Sequence, residues 1–524
     1  MHHLSGLDAT FLYIETPEMP MHVGSCHLFD LPKGYRGDFH VNLREHIARR
    51  MHLAPLFTRK LALMPFELAN PVWVDDEDVD LDYHIRRVSL ARPGTMLQLE
   101  QMIGRLHSSL LDRSRPLWEF YVIEGFHTGQ VAFYTKIHHA AMDGAAGVAL
   151  GQAVFDLTPV PRTVKAPRVR VRTNRYQLGI AELAGAALSN SARQYVKLAK
   201  LLPEMGRAAK GLLKREAGTD GKSRFVAAKQ FKLGPRTPIN GAITNQRSFA
   251  SASLPLGEVK EITAATGTTV NDVVLALCAS ALRRYLADEN FHPAKPLIAG
   301  VPVSLREAGN TDMNNQVSMM LVGLATDIRD PLERLQAIRA NALAAKEVNG
   351  RIKAAVPTDF PSFGAPWFMS GLASLYGRSR LANVIPPIAN VAISNVPGSP
   401  VPLYLTGARV ATYIPVSIPG HGVGLNITVQ SYAGQLGFGI TACRRAVPDP
   451  QSLATYLQGA LAELLAAVRA PARGRPAGYE TSRPVEAAGA MVASRPAVKR
   501  RKSASMPSEK ITPDSGMRER TTSG

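Results

Sequence analysis

The chain has 524 residues, 45% apolar, 20% charged and 6% aromatic, a balance that excludes wholesale disorder and, at this length, calls for more than one packed unit. No window approaches the roughly 18 uninterrupted apolar residues of a spanning helix, and no basic stretch followed by an apolar one opens the chain, so neither an integral membrane protein nor a secretory signal is expected. Three cysteines far apart, Cys26, Cys278 and Cys443, exclude a disulfide framework and a Cys-based zinc site, and make a reducing cytosol the expected compartment.

In chain order, residues 1–160 alternate strand-like and helix-like patterns. Gln130–Ile137 reads as a strand and Ala145–Phe155 as a helix of small residues. Residues 161–247 hold 19 Lys+Arg against 4 Asp+Glu, and after a Pro/Arg-rich start they run as an Ala/Leu/Lys helical stretch over Tyr176–Leu213. Residues 248–470 return to globular character. A helix is expected over Thr269–Tyr285 and a strand over Leu297–Val303. Strands follow over Val391–Ser394, Arg409–Val416, Gly424–Ser431 and Leu436–Cys443, and a last helix near Pro450–Val468. Residues 471–524, rich in Pro, Ser and Arg with no periodicity, read as a disordered basic tail. The net charge of +19 therefore sits in the linker and the tail, with 11 Lys+Arg against 5 Asp+Glu in the latter. With no zinc-finger spacing, aromatic RNA-binding signature or heptad-backed basic helix, nucleic acid is not the expected partner. The simplest architecture is α/β, two mixed units joined by a basic helical linker.

The run most informative about chemistry is Thr135-Lys136-Ile137-His138-His139-Ala140-Ala141-Met142-Asp143-Gly144. Val131, Phe133 and Ile137 alternate with Ala132, Tyr134 and Lys136, so the histidines end a strand of period two. If the extension persists, they point to opposite sides and only one serves a given reaction channel, which argues against a two-His metal site. An imidazole is the usual general base near neutral pH. Asp143 before Gly144 suits the cap of the following helix. Trp118 reads first as a core anchor, and Asp272, three residues after Thr269, as a capping-box partner. Asn271, at a helix start, is able to donate to an oxyanion or substrate carbonyl. No Gly-x-Ser-x-Gly elbow is present, so an acyl-serine route is not supported.

His138-His139-x-x-x-Asp143-Gly144 resembles the active-site motif of the bacterial wax ester synthase/acyl-CoA:diacylglycerol acyltransferase family, within the superfamily that also holds chloramphenicol acetyltransferase, plant BAHD enzymes and peptide-synthetase condensation domains. Pro116-Leu117-Trp118, Asn271-Asp272, Pro302-Val303-Ser304-Leu305-Arg306, Ser394-Asn395-Val396-Pro397-Gly398 and the opening Leu7-Asp8-Ala9-Thr10-Phe11 resemble further family elements, in order, over about 1–470. The resemblance implies two chloramphenicol-acetyltransferase-like domains, 1–160 and 248–470, each a mixed sheet with flanking helices. It implies His139 as general base with His138 secondary, and Asp143 paired structurally with Arg306. Direct transfer from long-chain acyl-CoA to diacylglycerol or a long-chain alcohol follows, in a tunnel between the halves and with no cofactor or metal. The alternatives are a condensation-type acyltransferase with a carrier-bound donor and an inactive lipid-binding protein.

The linker mixes Leu178, Ile180, Leu183 and Leu188 with Arg193, Lys197 and Lys200, a composition suited to a helix at a membrane interface. The expected location is cytoplasmic, peripheral at an anionic inner membrane face or on lipid inclusions.

Overall fold

The structure, a computed structural model, describes residues 2–4, 6–35, 37–62, 71–142, 144–166, 215–217, 223–225, 233–304, 317–355, 381–383 and 386–470. The helical stretch expected over Tyr176–Leu213 and the tail 471–524 lie outside the described residues.

In the first half the principal elements are α1 (Gly6–Ile14), β1 (His22–Asp30), α2 (Phe39–Arg50), β2 (Ile85–Ser89), α3 (Met96–His107), β3 (Trp118–Glu124), β4 (Val131–His138) and α4 (Gly144–Val154). In the second they are β5 (Arg247–Pro255), α5 (Leu256–Thr266), α6 (Val270–Asp288), β6 (Ile298–Ser304), β7 (Val317–Gly323) and α7 (Pro331–Ala355). These are followed by β8 (Val391–Val396), β9 (Tyr404–Leu405), β10 (Ala408–Val416), β11 (Leu425–Tyr432), β12 (Gln435–Cys443) and α8 (Pro450–Arg469). Helix starts follow local chemistry. Asp38 accepts from the His40 and Val41 N–H groups, and Thr95 with Gln98 forms a capping box. Asp449 caps α8, with Pro450 at its first position.

Two six-stranded mixed sheets organise the molecule. The first runs β9-β10-β1-β4-β3-β2, antiparallel except where β2 meets β3. The second runs β5-β12-β11-β8-β6-β7, with parallel pairing of β6 with β8 and β8 with β11. Every residue of β4 is buried, because both faces of the first sheet are covered. On one face Phe29, Trp118, Phe120 and Phe133 pack against Phe39, Leu43 and Ile47 of α2 and Ala153 and Val154 of α4. On the other, Cys26, Leu28, Ala132 and Tyr134 pack against Leu99 and Ile103 of α3. The alternation along β4 thus separates two cores rather than a core from solvent.

The halves interlock through β10. It comes from the second half of the sequence, yet it pairs with β1 in the first sheet over Arg409–Val416. It crosses close to β12: a Cβ on Gly437 would lie 2.2 Å from the Tyr413 carbonyl oxygen, and one on Gly439 1.7 Å from that of Pro415. Only glycine admits that approach. The described residues accordingly fall in one compact unit, Met1–Ala477. Among them no single helix is long and apolar enough to cross a membrane. The bent pair α5–α6 passes by composition, and α6 spends its apolar residues, Val273 to Leu286, in the protein core.

Candidate active site

Strand β4 ends at His138, and the chain turns at once into a short 3₁₀ segment, His139–Ala141. The extension does not persist through His139, so the simple rule of opposite strand faces stops one residue short. The backbone at this corner is pinned on both sides. The His138 N–H donates to the Leu117 carbonyl at 3.0 Å and the His139 N–H to that of Met21 at 2.8 Å.

The His138 ring is fully buried and turned inward. Its Nδ1 accepts from the Ala140 N–H at 3.1 Å, so in the neutral ring the proton sits on Nε2, which lies 3.2 Å from Glu15 Oε2. The same carboxylate oxygen accepts from the Met21 N–H at 2.9 Å. The other, Oε1, accepts from Arg113 Nη2 and Nε at 2.8 and 3.2 Å. Arg113 in turn donates to the Leu12 carbonyl at 2.7 Å. Burial alone would raise the Glu15 carboxyl, but the neighbouring His138, the Arg113 guanidinium and the Met21 N–H outweigh it and hold it at about 2.

The partly buried His139 ring stacks on Phe11 of α1, with centroids 3.9 Å apart and planes 19° apart. Burial pushes its pKa down to about 4, with His138 acting in the same direction and a bond to its own backbone opposing. At neutral pH it is therefore an unprotonated imidazole, able to take a proton.

Behind β4 runs a buried polar network. His22 Nε2 donates to the His107 carbonyl at 2.7 Å, and His107 Nε2 to that of Ser417 at 2.9 Å. Tyr134 Oη, 2.7 Å from His107 Nδ1, donates to it. Burial lowers both imidazoles, His107 to about 3. Lys136, with no exposed surface, pairs with Glu119 at 3.1 Å. Glu119 also accepts from Tyr121 at 2.6 Å and Arg86 at 3.3 Å. A buried charge needs this partner.

Trp118 is fully buried in the core with its Nε1 donating to the Phe57 carbonyl at 3.2 Å. Thr269 and Asp272 form the expected capping box at the start of α6. Asn271 takes the second position of that helix, half-buried. Gly144 opens α4. Asp143 and Arg306 lie outside the described residues, and the segment Pro302–Ser304 closes β6. Ser394–Val396 ends β8, and a Cβ on Gly398 would lie 2.0 Å from the Ser431 carbonyl oxygen, so the motif glycine serves a close backbone approach. His421 Nδ1 accepts from the Ile243 N–H at 3.2 Å, a structural bond.

Sequence reasoning passed over Glu15, Arg113 and Phe11 as parts of the site. No local signal marks Glu15 or Arg113, and their separation of 98 residues in sequence hides the pairing. Among the described residues, no group of three His, Cys, Asp or Glu side chains is arranged to hold a metal ion.

Residues 4–274 match the model of the wax ester synthase/diacylglycerol acyltransferase catalytic domain, and residues 313–465 that of the WS/DGAT C-terminal domain. A Mycobacterium tuberculosis protein named "Putative diacyglycerol O-acyltransferase Rv3740c" is 38% identical over 468 residues, 89% of this chain and 100% of the relative. A solved wax ester synthase/diacylglycerol acyltransferase from Marinobacter aquaeolei VT8 aligns with a TM-score of 0.62 and 32% identity, covering 89% of this chain and 99% of that one. The first condensation domain of the CDA synthetase, at 15% identity and a TM-score of 0.51 over 90% of this chain and 97% of that one, shares the fold.

Proposed function

The chain belongs to the wax ester synthase/diacylglycerol acyltransferase family and is an acyltransferase, and on that premise we propose that it moves a long-chain acyl group from acyl-CoA to the free hydroxyl of diacylglycerol, with long-chain alcohols as a second acceptor class. The observation that carries the proposal is His139: a neutral imidazole at a strand end, held by its backbone to Met21 and by its ring to Phe11.

A hydroxyl is a poor nucleophile near neutral pH. In this reading His139 accepts the hydroxyl proton as the oxygen attacks the thioester carbonyl, a contribution of about 10²–10⁴ in rate. The tetrahedral oxyanion collapses, the carbon–sulfur bond breaks, and the imidazolium returns its proton to the departing CoA thiolate. Asn271, at the start of α6, is the proposed oxyanion or substrate donor. His138 is support, its Nδ1 accepting from the Ala140 N–H and its Nε2 facing Glu15. Asp143 and Arg306 are proposed as the pair that braces the turn after the histidines. The reaction as written needs no metal and no cofactor; acyl-CoA is a substrate.

A water-insoluble acceptor has to be met at a lipid surface. The 19 Lys+Arg against 4 Asp+Glu in residues 161–247 support peripheral contact with anionic lipid, at roughly 1 kcal/mol per well-placed cation and weakening with salt. One experiment addresses acceptor and surface together. Purified protein is given labelled oleoyl-CoA with diacylglycerol or hexadecanol in anionic or neutral vesicles, at low and high salt. Triacylglycerol formation, faster on anionic vesicles at low salt, is expected. Turnover only with a carrier-bound acyl donor would make this a condensation-type enzyme, and no turnover with any donor a lipid-binding protein. Equal rates on both vesicle types at all salt concentrations would remove the electrostatic contact.

A further inference from the structure

The opening run Leu7–Phe11 and the acid that follows α1 have no part in the proton transfer described above, yet both active-site histidines rest on them. Phe11 and Glu15 are four residues apart, the spacing that places side chains on one helical face. Phe11 lies flat on His139, and Glu15 lies 3.2 Å from His138 Nε2 and accepts from the N–H of Met21, whose carbonyl holds the His139 N–H.

We propose that Phe11 and Glu15 are positioning residues for acyl transfer, Phe11 setting the plane of the His139 ring and Glu15 setting the tautomer of His138 and the backbone of His139. The inference rests on His139 being the base. The lone pair of an unprotonated imidazole nitrogen lies in the ring plane. A ring stacked at 3.9 Å and 19° therefore restrains the direction of the lone pair without covering it. An edge-on neighbour would do the reverse. Glu15 Oε2 accepts from the Met21 N–H and lies 3.2 Å from His138 Nε2, so one carboxylate meets the side chain of one histidine and the residue that holds the backbone of the next. Arg113 on the other oxygen keeps the carboxylate from rotating away. Direction matters because a base displaced by about 1 Å can lose about 10²-fold in rate.

Steady-state kinetics on the full chain with oleoyl-CoA and diacylglycerol test this with Phe11→Leu, Phe11→Tyr, Glu15→Gln and His139→Ala, each checked for cooperative unfolding. Phe11→Leu keeps an apolar side chain but removes the stack. It is expected to lower kcat about ten- to a hundredfold with KM for both substrates within about twofold, and Phe11→Tyr to restore most of the rate. Glu15→Gln is expected to lower kcat similarly. Should it fail to fold, the Phe11 pair decides. A wild-type kcat in Phe11→Leu, a loss confined to KM, or equal loss in the Leu and Tyr variants overturns the proposal. Retained turnover in His139→Ala overturns instead the assignment of the base on which it rests.

Discussion

A base that takes a proton from a hydroxyl must be unprotonated before the substrate arrives. Burial places His139 at about 4, against an ordinary 6.5, so the ring is ready across the neutral range. Because acid removes the competent form, kcat/KM of the free enzyme should be flat from about pH 7.5 down to about pH 5.5 and fall only toward pH 4. A pH–rate profile with its acid limb centred near 6.5 contradicts this. His139→Ala should cost a factor of about 10² or more in turnover, and His138→Ala less, since that ring is fully buried and faces Glu15. At this scale the paired histidines were legible because two adjacent imidazoles at a strand end are chemically distinctive. Phe11, Glu15 and Arg113 were not, because nothing local to residues 11, 15 or 113 says that a strand ending at 138 will arrive beside them.

Secondary elements follow local rules here, with ends within three residues of those expected. The strand expected over Gln130–Ile137 is Val131–His138, and the helix expected over Ala145–Phe155 is Gly144–Val154. The capping box read from Thr269 and Asp272 is formed. Less local is the demand for glycine on β12. Gly439 sits where the Pro415 carbonyl of β10 passes over it, so Gly439→Ala forces main chain apart rather than moving a flexible side chain. A loss of roughly 1–3 kcal/mol or more is expected in urea unfolding. Gly434→Ala, where nothing stands within 4 Å of the added Cβ but φ is 86°, is the comparison for backbone strain alone. Equal losses at the two positions would mean that the close crossing is not what restricts Gly439.

Across the whole molecule, many histidines are held neutral by burial. His27 and His107 are lowered to about 3, His46 and His139 to about 4, and His22 well below 6.5. In the unfolded chain each takes a proton near 6.5, where the native state does not. Stability from this source is therefore complete above about pH 6.5 and lost as pH falls toward 3–4. Glu15, lowered from 4.5 to about 2, acts with the same sign at lower pH. Urea midpoints should hold level above about pH 6.5 and fall steadily from there to about pH 5 with little change in slope, and a midpoint constant between about pH 6.5 and 5 would refute the account. The sequence by itself determined the α/β class, the type of the elements over residues 130–155, 269–303 and 391–468, and the strand end that bears the two histidines. Those depend on periodicity, capping and turn chemistry, which act over a few residues. Only the tertiary structure decided that both faces of β4 are core, that Lys136 is buried against Glu119, and that Phe11 of α1 and Glu15 just after it meet the two histidines. It also decided that a strand from residues 408–416 completes the first sheet. These pairings join residues 17 to nearly 400 positions apart, and burial and Coulomb attraction depend on distance in space, which local pattern does not encode.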